Sequence, residues 1–131
     1  MSDPRFLTVP ELIAINEAVV SSYGGVAELP TDTQSMISVI GKARSRWQMD
    51  GASIPVLAAD YAFSIIHDRP FPGGNRRTAL AASCTFLGLN GYQLRSSEAE
   101  TAVVFVALAA GGIDEKSLAG WFDKYAEPLK A

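Results

Sequence analysis

The sequence predicts an all-α protein, a compact bundle of about six helices. Three observations carry this. Apolar residues recur at three- and four-residue spacing in one segment after another; glycine pairs and prolines separate the segments; and Thr8, Ser97 and Asp114 stand where helix caps are needed. The 131 residues, 48% hydrophobic and 19% charged, suffice for one ordinary globular domain, residues 1–131, whose core needs no disulfide or metal. No repeat, low-complexity tract or long linker divides it.

Thr8 followed by Glu11 is a capping-box pattern, with Pro10 tolerable in a first turn. Leu12, Ile15, Val19 and Tyr23 then recur at helical spacing until Gly24-Gly25 ends the first helix. Thr31 or Asp32 can cap a second helix with the apolar stripe Met36, Ile37, Ile40 and Trp47. Gln48 to Pro55 is less regular and carries the turn dipeptide Asp50-Gly51, compatible with a short hairpin or an exposed loop. A third helix is expected from about Val56 to Ile66. Two prolines and two adjacent glycines between Arg69 and Gly74 exclude helix there. A fourth helix starts near Asn75 and turns Leu80, Cys84 and Leu87 inward before Asn90-Gly91. Ser97 and Glu100 form another capping-box pattern ahead of Val103 to Ala110, a segment apolar nearly all round and so expected to run through the centre of the fold. Gly111-Gly112 stops it. Asp114 caps a last helix with Leu118, Trp121, Phe122 and Tyr125 on one face.

A net charge of −3 argues against whole-molecule attraction to nucleic acid or an anionic membrane, so any anion site must be a local basic patch. The single cysteine, Cys84, excludes an internal disulfide and a multi-cysteine zinc site, and among Ala81, Ala82, Phe86 and Leu87 it reads as a core thiol. Met1 to Arg5 has no basic stretch leading into an apolar run, so no secretory signal is expected. The most apolar stretch, Ala102 to Ala110, falls well short of the ~20 residues that cross a bilayer. A cytoplasmic protein is the simplest reading.

One segment stands apart: Arg69-Pro70-Phe71-Pro72-Gly73-Gly74-Asn75-Arg76-Arg77-Thr78-Ala79-Leu80. A glycine loop feeding the first turn of a helix leaves backbone N–H groups free and lets a ligand come close, which makes a natural anion site. Three arginines lie within it, and guanidinium donors match phosphate oxygens in pairs. The plainer alternative is that Gly73-Gly74 is only a turn, Asn75 a helix cap, and Arg76 and Arg77 solvated surface charge. Arginines in a first turn oppose the helix dipole, a cost easier to understand if an anion is recruited.

The segment resembles the Fic/Doc motif, His-x-Phe-x-Asp/Glu-Gly/Ala-Asn-x-Arg, with Phe71, Gly74, Asn75 and Arg77 in register and Thr78-Ala79-Leu80 continuing as in the Doc (death-on-curing toxin) branch. Pro10 to Ala14, Ser22 to Gly25, Ile40 to Arg46, Tyr61 and Leu89 to Gly91 also fall in similar places, so the likeness covers most of the chain. Members of the family move AMP, phosphate or related groups onto protein hydroxyls. The resemblance implies a Fic/Doc-type helical bundle with the motif loop between two central helices. It implies that Gly74, Asn75 and Arg77 contact the phosphates of ATP or another nucleotide, with Arg76 facing phosphate too. Gln48 to Pro55 would be a short flap holding the target protein segment. An antitoxin whose disordered tail folds into an apolar groove is the implied partner.

Two positions break the pattern. Arg69 stands where the family has the histidine that takes the proton from the attacking hydroxyl, and a guanidinium with pKa above ~12 cannot take it. Gly73 stands where the family has the acidic residue that helps hold Mg²⁺, and glycine offers no ligating side chain. His67, two residues before Arg69, is displaced by up to ~7 Å and reads better as a helix C-terminal histidine. Asp68 lies five residues from the missing carboxylate. Two functions follow: a Doc-like transferase whose usual catalysis is impaired, in which the arginines stabilise charge without a base, or an inactive nucleotide-, anion- or protein-binding module on the same fold.

Overall fold

The computed structural model describes residues 3–27 and 33–129, and the fold rests on those. Six helices follow in order: α1 (Val9–Ser22), α2 (Gln34–Asp50), α3 (Ile54–Asp68), α4 (Asn75–Leu89), α5 (Glu98–Ala109) and α6 (Glu115–Tyr125). Two three-residue strands, β1 (Tyr92–Leu94) and β2 (Ala126–Pro128), pair antiparallel with Gln93 opposite Glu127. The all-α expectation holds. The strand pair is an addition to it, because three residues are too short for an alternating pattern to register.

The expected starts are built as the sequence implied. Thr8 and Glu11 form a complete capping box on α1, each side chain bonding the other's backbone N–H. Asp114 accepts from Ser117 N–H at 2.7 Å and Ser97 from Glu100 N–H at 3.1 Å, caps worth about 1 kcal/mol each. Thr31 and Asp32, expected to cap α2, lie outside the described residues. Thr33 precedes α2 without a side-chain capping bond.

α3 is the central helix, packed between α2, α4 and α6. Its middle carries Leu57, Ala58, Ala59, Tyr61, Ala62 and Ile65, all buried. The small alanines let neighbours approach closely, while Tyr61 reaches the N-terminal segment and accepts Leu7 N–H at 3.0 Å. Against α3, α6 turns in Leu118 and Phe122, each fully buried and worth about 1.5–3 kcal/mol.

Five sequence expectations are corrected. The Val103–Ala110 segment does not run through the centre: α5 buries only Thr101, Phe105 and Leu108, and leaves Val103 69% and Val106 51% exposed. All-round hydrophobicity cannot tell a central helix from one with an uncovered face, and here small size decided the centre. Gln48 to Pro55 forms no hairpin and is mostly helical: α2 continues to Asp50, Gly51 adopts φ +63 as its left-handed stop, and only a short partly exposed connection, residues 51–53, precedes α3 at Ile54. Asp50-Gly51 signalled a helix end rather than a tight turn. On α1 the buried line is Leu12, Asn16 and Val20, with Tyr23 46% exposed, and on α2 it is Met36, Val39 and Ala43, with Ile37 outward. On α4 Ala79, Ala82, Phe86 and Leu87 are buried, while Leu80 and Cys84 are half-buried.

Candidate functional site

The loop between α3 and α4 is held by its own side chains. α3 ends at Arg69, which adopts φ 49° and ψ 60° and donates its N–H to Ile65 O at 3.0 Å. Arg69 is the one non-glycine residue with positive φ among the described residues, a conformation that costs about 1–2 kcal/mol. Pro70 contributes to it, since a following proline disfavours right-handed helix. Phe71 then plugs into the core at 4% exposure and anchors the loop.

Asn75 closes the loop from the other side. Its Oδ1 accepts Phe71 N–H at 3.1 Å and its Nδ2 donates to Phe71 O at 2.8 Å. From α1, the buried Asn16 donates to Gly73 O at 3.0 Å and to Thr78 Oγ1 at 3.1 Å. The helix cap is Gly74 (φ +75), which offers no side chain to the first-turn amides. A Cβ at Gly74 would stand 2.9 Å from the Tyr23 hydroxyl and 3.2 Å from Val20 Cγ2, so this position requires glycine twice over.

Around this loop opens a cleft of about 390 Å³ between the ends of α1, α3 and α5 and the start of α4. Arg69, Gly73, Gly74, Asn75, Arg76 and Arg77 all line it, so the structure brings every expected site residue to one place. Arg77 lies over the Tyr23 ring, 4.6 Å from its centre, an arrangement that holds the guanidinium beside the helix start. None of the three arginines forms an ion pair among the described residues. Uncapped amides, a helix dipole and three guanidinium groups together make a strongly anion-attracting surface.

Asn75 is placed otherwise than the plainer reading supposed. It is neither a cap nor a free arm: its amide holds Phe71, so its side chain shapes the cleft. Asn16 and Tyr23 were missed as site residues. Asn16 had a signal, a polar residue between Leu12 and Val20 on the buried line of α1.

Neither candidate substitute reaches the cleft lining. His67 is 72% exposed at the side chain, stacks on Phe63, and lies 3.1 Å from Asp68. Asp68 pairs with Lys42 at 3.4 Å. Among the described residues the lining therefore contains no carboxylate, imidazole or thiol. Magnesium held on nucleotide phosphates is usually fixed by one or two protein carboxylates, and this donor set does not fit it. Among the described residues no group of three acidic, histidine or cysteine side chains is placed to hold a metal either.

A larger cleft, about 580 Å³, lies between α2, α3 and the start of α6 and contains Asp60. Asp60 is 3% exposed, and among the described residues no hydrogen bond reaches either carboxylate oxygen; Arg46 Nε stands 3.7 Å away, within ion-pair range only. Burial pushes its pKa up from 3.8 to about 6, against the opposing pull of Arg46 and with a further push from Glu115. This cleft mixes both signs of charge and has no glycine loop or open helix start, so it offers an anion less than the motif cleft does.

Comparison with known proteins places the chain beside "Protein kinase doc" of Escherichia phage P1, with 31% identity over 116 residues covering 88% of this chain and 90% of that protein. No family model matches the sequence. Among solved structures, BepC, a VirB-translocated effector of Bartonella tribocorum with bound AMPPNP, superposes with a TM-score of 0.62 at 14% identity, over 99% of this chain and 79% of BepC. The N-terminal Fic domain of a Bep effector protein from Bartonella quintana, with bound ADP, superposes with a TM-score of 0.50 at 17% identity, over 75% of this chain and 48% of that one. At these identities the two structures establish a shared helical fold.

Proposed function

The chain belongs to the Fic/Doc family, and from that premise we propose that it is a Doc-like toxin–antitoxin-type protein, one domain with a nucleotide-phosphate cleft and impaired transfer chemistry. The observation that carries this reading is the cleft lining. Arg69 and Gly73 both face the cleft from the motif loop, and among the described residues no general base or carboxylate lines it.

The chemistry follows from the residues present. Transfer to a hydroxyl needs a group that removes its proton, and losing a general base typically costs about 10² to 10⁴ in rate. A guanidinium at that point stays charged at any working pH. What remains is binding: Arg69, Arg76, Arg77 and the first-turn amides of α4 orient phosphates, with Asn75 and Asn16 holding the loop rigid. The ADP and AMPPNP bound in the two Fic-fold structures support a nucleotide as the occupant. An antitoxin is the partner the family implies, and the exposed Val103 and Val106 of α5 are apolar surface available to its tail.

A second reading keeps the enzyme active by electrostatics alone. Three guanidinium groups around one cleft favour it, because phosphoryl transfer depends largely on positioning and charge stabilisation. A transfer assay in cell lysate with α- or γ-labelled ATP and Mg²⁺ separates the two, running the native protein beside an Arg69→His, Gly73→Asp double variant. Labelling by the double variant alone is the expected result. Labelling by the native protein at a comparable rate overturns the impaired reading, and the position of the label then distinguishes AMP from phosphate transfer.

A further inference from the structure

We infer that the motif cleft takes the polyphosphate of a nucleoside di- or triphosphate as the metal-free anion, and that Mg²⁺ weakens this binding instead of supporting it. The inference rests on the nucleotide-binding reading above and adds the charge state in which the ligand is held.

The charge balance of the cleft carries the argument. A phosphate site with a carboxylate binds the magnesium complex because the cation bridges two anions, the phosphate and the side chain. Here the side of the bridge that belongs to the protein is missing: Gly73 stands at that point, and among the described residues no acidic side chain lines the cleft. Asp68, the acidic residue nearest in sequence, is engaged with Lys42 and His67. Three guanidinium groups occupy the same cleft, and none of them is neutralised by an ion pair among the described residues.

Each arginine supplies paired donors for phosphate oxygens, and the α4 dipole adds to the same sign. The protein itself therefore provides the positive charge that a metal would bring. A magnesium ion carried in on the phosphates cancels two of the ligand's negative charges and occupies oxygens that the arginines would bind. It also places a divalent cation among guanidinium groups with no protein carboxylate to offset it. Both effects have the same sign, so chelated nucleotide is the poorer ligand.

The space at Gly73 makes the inference directly testable. A Cβ built there meets nothing within 4 Å, and the residue is not among those with positive φ, so the backbone and first side-chain carbon of an aspartate are accommodated. The experiment is a calorimetric titration of ADP into the native full chain at fixed ionic strength, once with EDTA and once with excess Mg²⁺, repeated with Gly73→Asp. The native protein is expected to bind roughly tenfold more weakly in Mg²⁺, the equivalent of one charge-assisted hydrogen bond lost. Pyrophosphate in EDTA is expected to displace ADP. In Gly73→Asp the metal preference reverses.

Equal or tighter ADP binding by the native protein in Mg²⁺ overturns the inference while leaving the nucleotide reading in place. Absence of ADP binding in both buffers overturns the nucleotide reading itself. The native titrations alone decide between these outcomes if Gly73→Asp fails to fold.

Discussion

Replacing Asp60 with asparagine should make the protein more stable at neutral pH, although it removes a member of an ion pair. Asp60 is buried in the wall between α2 and α3, with Arg46 at 3.7 Å, Asp50 on the same helix as Arg46, and Glu115 at the start of α6. Burial is the largest influence on its pKa and outweighs the Arg46 attraction, leaving the group at about 6 against an ordinary 3.8. At about 1.4 kcal/mol per pH unit, that rise corresponds to about 3 kcal/mol. The sign follows from proton counting. Well below pH 3.8 the carboxyl is protonated in both folded and unfolded chains, and nothing is lost. Between about 4 and 6 the unfolded chain releases the proton while the folded one keeps it, so stability falls as pH rises; above about 6 the full penalty persists.

The neutral amide of the variant carries no such penalty, and Arg46, about a third exposed at the side chain, can turn to water. Urea unfolding at pH 4 and pH 7.5 reads the difference. Asp60→Asn should match the native protein at pH 4 and exceed it by about 3 kcal/mol at pH 7.5, which is roughly 10 °C in melting temperature for a chain of this size. A variant less stable than native at pH 7.5 would refute the reasoning, because it would mean that the pair's attraction exceeds the cost of burying it.

Asn16→Ala removes the donor shared by Gly73 O and the fully buried Thr78 Oγ1, at a cost of about 1–3 kcal/mol. Thermal melting should register the loss, and ADP titration should show weaker binding as the loop loosens; unchanged values in both would remove Asn16 from the site. Half-buried Cys84, whose thiol pKa burial raises, should react with iodoacetamide at pH 8 more than about tenfold slower in the folded protein than in denaturant. Fast alkylation of the folded chain would show that this face of α4 is open.

The helical class, the cap residues and the place of the anion loop were legible in the sequence because each depends on neighbours in the chain. A capping box joins residues three apart, a glycine pair stops a helix locally, and a helix start feeds its own amides to a ligand. The two motif departures, Arg69 and Gly73, were legible for the same reason, since side-chain chemistry at a known loop position needs no coordinates. Which helix is central was not legible, because alanines that read as unremarkable on α3 matter only once helices close in from several sides. Asn16 reaches the loop from 57 residues away, and the Tyr23–Arg77 stack likewise joins two elements far apart in sequence. Nothing in the sequence singles out Asp60; only packing removed its water. Local order is written in short-range pattern, whereas burial, long-range hydrogen bonds and the charge left inside a cleft belong to the tertiary structure alone.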